Sequence, residues 1–312
     1  MTNKEKNFVS VVIYVHNAES EIEKFLKTII TVMEENFEHS EIICVNDSSD
    51  DKSVQLIKQA SRSAMFTSVS VLNMSYFHGL EMAMNAGVDL TIGDFVFEFD
   101  NTVMDFDKDE IMKIYYRSLQ GYDIVSASPD KPEKFSSKLF YKVFDEFTDI
   151  SYQMGTESFR ILSRRVINRI ASMNKTVPYR KAIYANSGLQ TDIIKYTVIN
   201  THTAISKDKK EEHYRKDLAV DSLILFTAVG YKFSVAMTIV MMIMSVFMIV
   251  YSLVTYLIVH PVEGWTTTIL FLSVAFFGLF GILTIIIKYL QLLLNLVFKH
   301  KQYNFESIEK MT

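Results

Sequence analysis

Apolar and polar residues follow one another along the first part of the chain in blocks that alternate between two periods. Val9 to Val15 is a short, nearly unbroken apolar run rich in β-branched residues, and it predicts a buried strand. Ile22, Phe25, Leu26, Ile29, Ile30 and Met33 then recur at helical spacing, which predicts a helix over 19–37. The same logic gives strands at 42–45 and 68–72 and helices at 53–60 and 79–88. Asp94 to Phe99 alternates strictly, with Phe95, Phe97 and Phe99 on one face and Val96 and Glu98 on the other. A helix over 107–119 and a strand over 122–127 follow. Helices are predicted over 138–147, with a stripe of Phe140, Phe144 and Phe147, and over 163–173, capped by Ser163. A further strand falls within 191–201. Strands alternating with helices predict an α/β domain with a mostly parallel sheet covered on both faces.

The pattern changes beyond residue 232. Neither Phe233–Val259 nor Trp265–Ile287 contains a charged residue, and His260-Pro-Val-Glu-Gly264 joins them. As a helix the first run extends roughly 40 Å, more than the ~30 Å hydrocarbon layer of a bilayer. These runs predict a two-helix transmembrane hairpin, with an interfacial extension to residue 298 and Lys288 snorkelling. Lys207, Lys209, Lys210, Arg215, Lys216 and Lys232 precede it, and Lys288, Lys299 and Lys301 follow. The connecting loop has no Lys or Arg, so both termini are expected on the cytoplasmic side. The amphipathic stretch 213–229 is expected to lie along the membrane surface. The chain therefore divides into 1–205, a juxtamembrane segment 206–232, the hairpin region 233–298 and a cytosolic tail 299–312.

Composition narrows the picture. A formal net charge of −4 gives no reason to expect nucleic acid. A single cysteine, Cys44, lies mid-strand and excludes a disulfide framework. The polar start of the chain has no apolar core of a signal peptide.

The candidate chemistry lies where strands end. Val45-Asn-Asp-Ser-Ser-Asp-Asp51 follows the second strand, and His16-Asn17-Ala18-Glu19 follows the first. In open α/β sheets the carboxyl edge is where ligands bind, so these loops read as a nucleotide site; the same residues also read as helix N-caps. The alternating strand ends at Asp100-Asn-Thr-Val-Met-Asp105. A carboxylate there suits a hard divalent cation, Mg²⁺ or Mn²⁺. Asp105 reads as a second ligand or as a cap of the next helix. His78 reads as a donor to a diphosphate or as a loop histidine with its bonds satisfied.

These motifs, in this order, resemble family 2 glycosyltransferases of the polyprenyl-phosphate type, the group of dolichyl-phosphate mannose synthase. Val9-Ser-Val-Val-Ile-Tyr-Val-His-Asn17 stands at the family's first strand, and Val45 to Asp51 at its Asp-Asp-Gly-Ser-Thr-Asp loop. Gly93-Asp-Phe-Val-Phe-Glu-Phe-Asp100 leads to its Asp-x-Asp motif, and Phe159-Arg-Ile-Leu-Ser-Arg-Arg165 matches a Phe-Arg-Leu-x-x-Arg stretch. Ala204 to Asp221, Lys288-Tyr-Leu and Tyr303-Asn-Phe-Glu306 also fit.

The resemblance implies a GT-A, Rossmann-like domain over 1–205, followed by the membrane hairpin. It implies a UDP- or GDP-linked sugar as donor and a polyprenyl phosphate as acceptor, with inversion. It assigns Asp100, Arg160 and Arg180 to catalysis, the arginines as phosphate grips, and Asp100 to the metal. It assigns Val15, Asn17, Glu19, Asn46, Asp47, His78, Asn101 and Thr102 to donor binding. It also implies a bacterial inner membrane location and a homo-oligomer.

The chain departs from the family pattern at several points. Asn46 replaces an Asp, Thr102 replaces the second Asp of Asp-x-Asp, and Met104 replaces a Gln. A thioether is a poor ligand for a hard cation. His78 stands at a usual Gly, Thr201-His-Thr-Ala204 replaces basic residues, and Ser158 replaces an Asp. Ordinary ion pairing is a second reading for the arginines. These departures leave open a second function: a GT-A fold with weakened or lost catalysis, acting as a binding or scaffold partner in membrane glycan assembly.

Overall fold

The structure is a computed structural model that describes residues 4–131, 156–172, 180–199 and 305–311, together with isolated positions between 214 and 293. The chain forms two compact units, the first made of Met1–Ala219 and His300–Thr312 and the second of Val220–Lys299.

The first unit contains one eight-stranded sheet. Its strands are β1 (Val9–Val15), β2 (Ser40–Asn46), β3 (Ser68–Met74), β4 (Phe95–Phe99), β5 (Ile124–Pro129), β6 (Phe159–Ser163), β7 (Thr191–Tyr196) and β8 (Phe305–Lys310). The helices are α1 (Ile22–Asn36), α2 (Ser53–Ser61), α3 (Leu80–Asp89), α4 (Asp109–Ser118), α5 (Arg164–Ser172) and α6 (Arg180–Asn186). The spatial order is β7-β5-β6-β4-β1-β2-β3-β8. β1 pairs in parallel with β2 and β4, β2 with β3, and β5 with β7. β6 and β8 run antiparallel to their neighbours.

Every residue of β1 is buried, because the strand is central and covered on both faces. The apolar stripe of α1 packs with Val9, Val11 and Ile13 and with Phe97, Phe99 and Phe159 on one side of the sheet. On the other side Val12 and Tyr14 share a core with Ala83 and Met84 of α3, Leu162 of β6 and Tyr184 of α6. The chain runs from β1 outward to β3, then returns to the opposite side of β1 for β4. That reversal opens a crevice between the carboxyl ends of β1 and β4, the place where such sheets bind ligands.

Three elements have no counterpart in the sequence periodicity. β6 is buried but only five residues long, α6 is seven residues long, and β8 is an exposed edge strand within the expected cytosolic tail. Tertiary pairing rather than local periodicity makes them. The helix expected over 138–147 lies outside the described residues, as does nearly all of the amphipathic stretch 213–229. The two apolar runs lie outside them except for isolated helical positions. Among the described residues no helix is long and apolar enough to cross a membrane.

Candidate active site

Glu98 and Asp100 leave β4 on the same side of the sheet, opposite Phe97 and Phe99. Glu98 faces Arg160 directly in the antiparallel register of β6. Arg160 is buried and gives Nη1 to Glu98 at 2.9 Å, Nη2 to Asp100 at 2.7 Å and Nε to Glu157 at 3.2 Å. Arg180, the first residue of α6, is equally buried. Its Nη2 donates to Asp100 at 2.7 Å, and its Nε and backbone N–H donate to Glu81 at 2.8 and 2.9 Å. Its Nη1 lies 2.9 Å from Glu98, close enough for an ion pair but without hydrogen-bond alignment. The Tyr184 hydroxyl donates to Glu98 at 2.8 Å.

Two carboxylates and two guanidinium groups thus close a ring, since each arginine holds both acids. Glu98 and both arginines are at most 1% exposed, whereas the Asp100 side chain is 11% exposed. Asp100 is therefore the member of the ring that reaches the crevice. Burial by itself would raise its pKa, but Arg160, Arg180 and Lys181 outweigh burial and hold the carboxyl well below its usual range. Asp100 stays an anion, oriented from two sides.

Buried and bonded to carboxylates, both arginines hold Asp100, while Arg180 Nη1 has no hydrogen-bond partner among the described residues. The signal that was missed is Glu98 itself. A glutamate in a strand covered on both faces has to be paired, because an unpaired buried charge is too costly.

The loops that follow β1 and β2 are stitched to each other. The Asn17 N–H donates to Ser49 Oγ at 3.1 Å, and Asn17 Oδ1 accepts the Asp50 N–H at 2.9 Å. The Glu19 N–H donates to Asp51 at 2.9 Å, and Glu19 accepts the Lys52 N–H at 3.3 Å. The Val15 carbonyl accepts the Asp47 N–H at 2.9 Å. Asn17 and Ser48 both adopt positive φ, 47° and 54°, which turns the chain sharply at each strand end. Asn46 donates to Asn73 at 2.9 Å and accepts the Ser49 N–H at 3.1 Å.

Asp47 is fully buried. Its two oxygens accept the N–H groups of His78 and Gly79, each at 2.8 Å, and Oδ2 also accepts the Tyr14 hydroxyl at 3.1 Å. Burial pushes its pKa up against those three bonds. The Asp47 carboxylate thus anchors the entry to α3. The anchor is linked to Asp100 all the same. Glu81 in the first turn of α3 holds Arg180, and Arg180 holds Asp100.

His78 is the loop histidine. Its Nδ1 is 2.5 Å from the Tyr76 carbonyl oxygen, and its ring stacks on Tyr76 with centroids 4.0 Å apart. Asn101 is exposed and bonds its own loop through the Val103 N–H at 2.9 Å, while Thr102 is buried. Asp105 does not cap α4: it accepts the Tyr196 hydroxyl at 2.8 Å and so ties the β4–α4 loop to β7. Tyr214, within the stretch expected at the membrane surface, packs its ring against Gly79 and makes an edge contact with Phe77.

Among the described residues no group of three or more His, Cys, Asp or Glu side chains is arranged to hold a metal. The chemistry around Asp100 nevertheless fits a cation that a ligand's phosphates help to bind. Four carboxylates, Glu81, Glu98, Asp100 and Glu157, face two guanidinium groups and the nearby Lys181. Each Asp100 oxygen accepts one N–H from an arginine and retains a lone pair. One carboxylate together with substrate phosphates is a common way to hold Mg²⁺.

The mostly parallel sheet, with acidic residues at strand ends beside its switch point, has a GT-A-like α/β fold. The fold is similar to that of glucosyl-3-phosphoglycerate synthase from Mycobacterium tuberculosis in complex with phosphoglyceric acid. The TM-score is 0.53 at 13% identity, over 71% of this chain and 80% of that one. The same enzyme crystallised with Mn²⁺, uridine diphosphate and glucosyl-3-phosphoglycerate gives 0.50 at 14% identity, over 71% and 80% of the two chains.

The sequence profile of glycosyl transferase family 2 matches residues 10–171, and the chain belongs to that family. It is 29% identical over 192 residues to an uncharacterised glycosyltransferase of Synechocystis sp., covering 60% of this chain and 59% of that one. It is 27% identical over 205 residues to the bactoprenol glucosyl transferase of Shigella phage SfX, covering 64% and 66%. The match therefore spans less than two thirds of the length of these relatives.

Proposed function

We propose that this chain is a membrane-bound inverting glycosyltransferase that moves a sugar from a UDP- or GDP-linked donor to a polyprenyl phosphate. The observation that carries this reading is the charge ring that orients Asp100 at the crevice between β1 and β4. Family membership and a relative named for bactoprenol support the substrate classes.

In the proposed step a phosphate oxygen of the acceptor attacks the anomeric carbon from the face opposite the diphosphate. The new C–O bond forms as the old one breaks, and the nucleoside diphosphate leaves. The acceptor oxygen is already anionic at neutral pH, so no strong base is needed. Catalysis comes from holding the two substrates in line and neutralising the leaving group. Bound Mg²⁺ or Mn²⁺ would supply Lewis-acid neutralisation of that diphosphate, with Asp100 as the protein's carboxylate ligand. Arg160 and Arg180 hold Asp100 in one orientation. The stitched loops carrying Val15, Asn17, Glu19 and Asn46 shape the nucleoside end, and Asn101 and Thr102 border the Asp100 side.

The remaining assignments belong to the same proposal. Residues 1–205 carry donor binding, 206–232 lie at the membrane surface, 233–298 form the hairpin and 299–312 return to the cytoplasmic side. The protein resides in a bacterial inner membrane as a homo-oligomer. The retained ring favours an active enzyme over a scaffold, because a scaffold has no use for a buried, oriented anion.

The deciding experiment is a transfer assay on the full chain in detergent, with a polyprenyl phosphate and a panel of sugar nucleotides. A glycolipid with inverted anomeric configuration is the expected product. Failure to bind or turn over any nucleotide sugar would leave the scaffold reading.

A further inference from the structure

β8 ends the sheet. Its inner edge pairs antiparallel with β3, and among the described residues nothing pairs with its outer edge. Lys310 stands opposite Ser70, Ile308 opposite Leu72 and Ser307 opposite Asn73, and the shift in register falls beyond Asn73. Phe305 and Ile308 are 48% and 49% exposed, and Glu306, Glu309 and Lys310 are exposed with them. The Met311 N–H donates to the Val69 carbonyl at 2.8 Å, which fixes the backbone groups that face inward. Successive residues of a strand turn their N–H and C=O groups to opposite sides. Met311, Glu309 and Ser307 therefore direct theirs at β3, and Ile308 and Lys310 turn theirs outward. Outward groups on a sheet edge are a template for another strand.

An antiparallel second copy of β8 fits that template in one register. Residues that exchange bonds across an antiparallel edge must both face it, so Ile308 has to meet another outward residue. With Ile308 opposite Ile308 of the partner subunit, every facing pair is complementary. Lys310 meets Glu306 of the partner subunit, Glu309 meets the partner's Ser307, and Met311 meets the partner's Phe305. Ser307 Oγ accepts from Asn73 Nδ2 at 3.0 Å, so its own proton remains to donate to the facing carboxylate. A slide of two residues one way sets Glu309 against the partner's Glu309 and Ile308 against the partner's Lys310. The opposite slide sets Glu306 against the partner's Ile308 and Phe305 against the partner's Glu309. A parallel copy in register sets each charge against its own kind. Like charges directly opposite are destabilising, and opposite charges or apolar pairs are stabilising. Edge charges ordinarily discourage pairing. Here Glu306 and Lys310 differ in sign and flank Ile308 evenly, so an antiparallel copy converts them into two ion pairs.

We infer that the outer edge of β8 is a docking surface for a second copy of this chain, with a two-fold axis at Ile308 that joins the two sheets into one. The contact is isologous, the same patch on both subunits, and it closes on itself. It gives the homo-oligomer proposed above a defined surface and does not rest on the glycosyltransferase reading. Two strands of six residues bury little area by the standard of stable interfaces, so the dimer is expected to depend on protein concentration.

The test uses the full chain in detergent, with mass read by light scattering over a range of protein concentrations. The unaltered chain is expected to dimerise. Lys310→Glu sets carboxylate against carboxylate at both ends of the ladder and should weaken the dimer about tenfold or more. Glu306→Lys added to Lys310→Glu exchanges the charges and should restore the dimer, a recovery that loss of folding cannot produce. Ile308→Cys should give a disulfide-linked dimer on mild oxidation, because bonded antiparallel partners lie about 5.5 Å apart at Cα, within disulfide reach. Lys310→Cys should not, since this register sets the two copies of that position about four residues apart along the strand, roughly 13 Å. The chain's own cysteine, Cys44, is buried and does not compete. A monomer at every concentration, a dimer indifferent to charge reversal, or equal linkage at both positions would overturn the inference. None of these outcomes bears on nucleotide binding or sugar transfer, so the two readings fail separately.

Discussion

Arg180 Nη2 stands 2.7 Å from Asp100 Oδ1, so the first residue of a short helix holds the acid at the end of a central strand. Arg160 makes the matching bond to the other oxygen at 2.7 Å from the neighbouring strand. Asp100 is clamped from two elements that the sequence separates from it by at least 60 residues. Its charge and its direction are therefore properties of the tertiary fold.

Removal of that charge should abolish function. Asp100→Ala is expected to lower donor binding or turnover at least about tenfold, a loss of roughly 1.4 kcal/mol or more in transition-state stabilisation. Asp100→Asn adds a pH test. The folded pKa of Asp100 is depressed, so its contribution to stability is present above the unfolded value of about 3.9 and is lost as pH falls toward the folded value. The Asn variant should show a flatter acid limb in urea unfolding below about pH 4. Normal turnover by Asp100→Ala would remove the residue from the mechanism.

The ring should fail when one partner is taken away. Arg160→Ala leaves Glu98 and Asp100 short of a buried counter-charge and is expected to cost about 3–5 kcal/mol. Glu98→Gln keeps the shape, and its amide oxygen still accepts from a guanidinium, so its cost should be smaller. Chemical denaturation of the two variants side by side checks the order. Equal stability of Arg160→Ala and the unaltered chain would show that the ring does not support the fold.

Gly79 offers a steric test. Its φ of +82° belongs to glycine, and a Cβ there would collide with the Tyr214 ring. Gly79→Ala should cost about 1–3 kcal/mol from backbone strain and displace Tyr214 as well. Tyr214→Ala in the same chain should relieve the clash but not the strain, so the double variant should be less destabilised than the two single losses combined. Additive losses would mean that the ring and the glycine do not meet.

Much of the fold was legible from periodicity. β1, α1 and α3 carry their signal locally: an unbroken apolar run for a strand buried on both faces, and apolar residues at helical spacing for helices buried on one. β6 carried none, because Phe159-Arg-Ile-Leu-Ser is too short to reveal a period and places an arginine in the core. That arginine is tolerated only because Glu98 faces it across the antiparallel register.

The sequence by itself determined the alternating α/β plan, the polar ends of β1, β2 and β4, and Asp100 as the acid of the last. These follow from which residues can be buried at which spacing. Only the tertiary structure decided which charges pair. It turned Asp47 inward to the entry of α3, made Arg160 and Arg180 holders of Asp100, and brought Glu309 to Asn73 across the edge of the sheet. A buried charge takes the partner that strand order sets beside it, and strand order is not written in any local stretch of the chain.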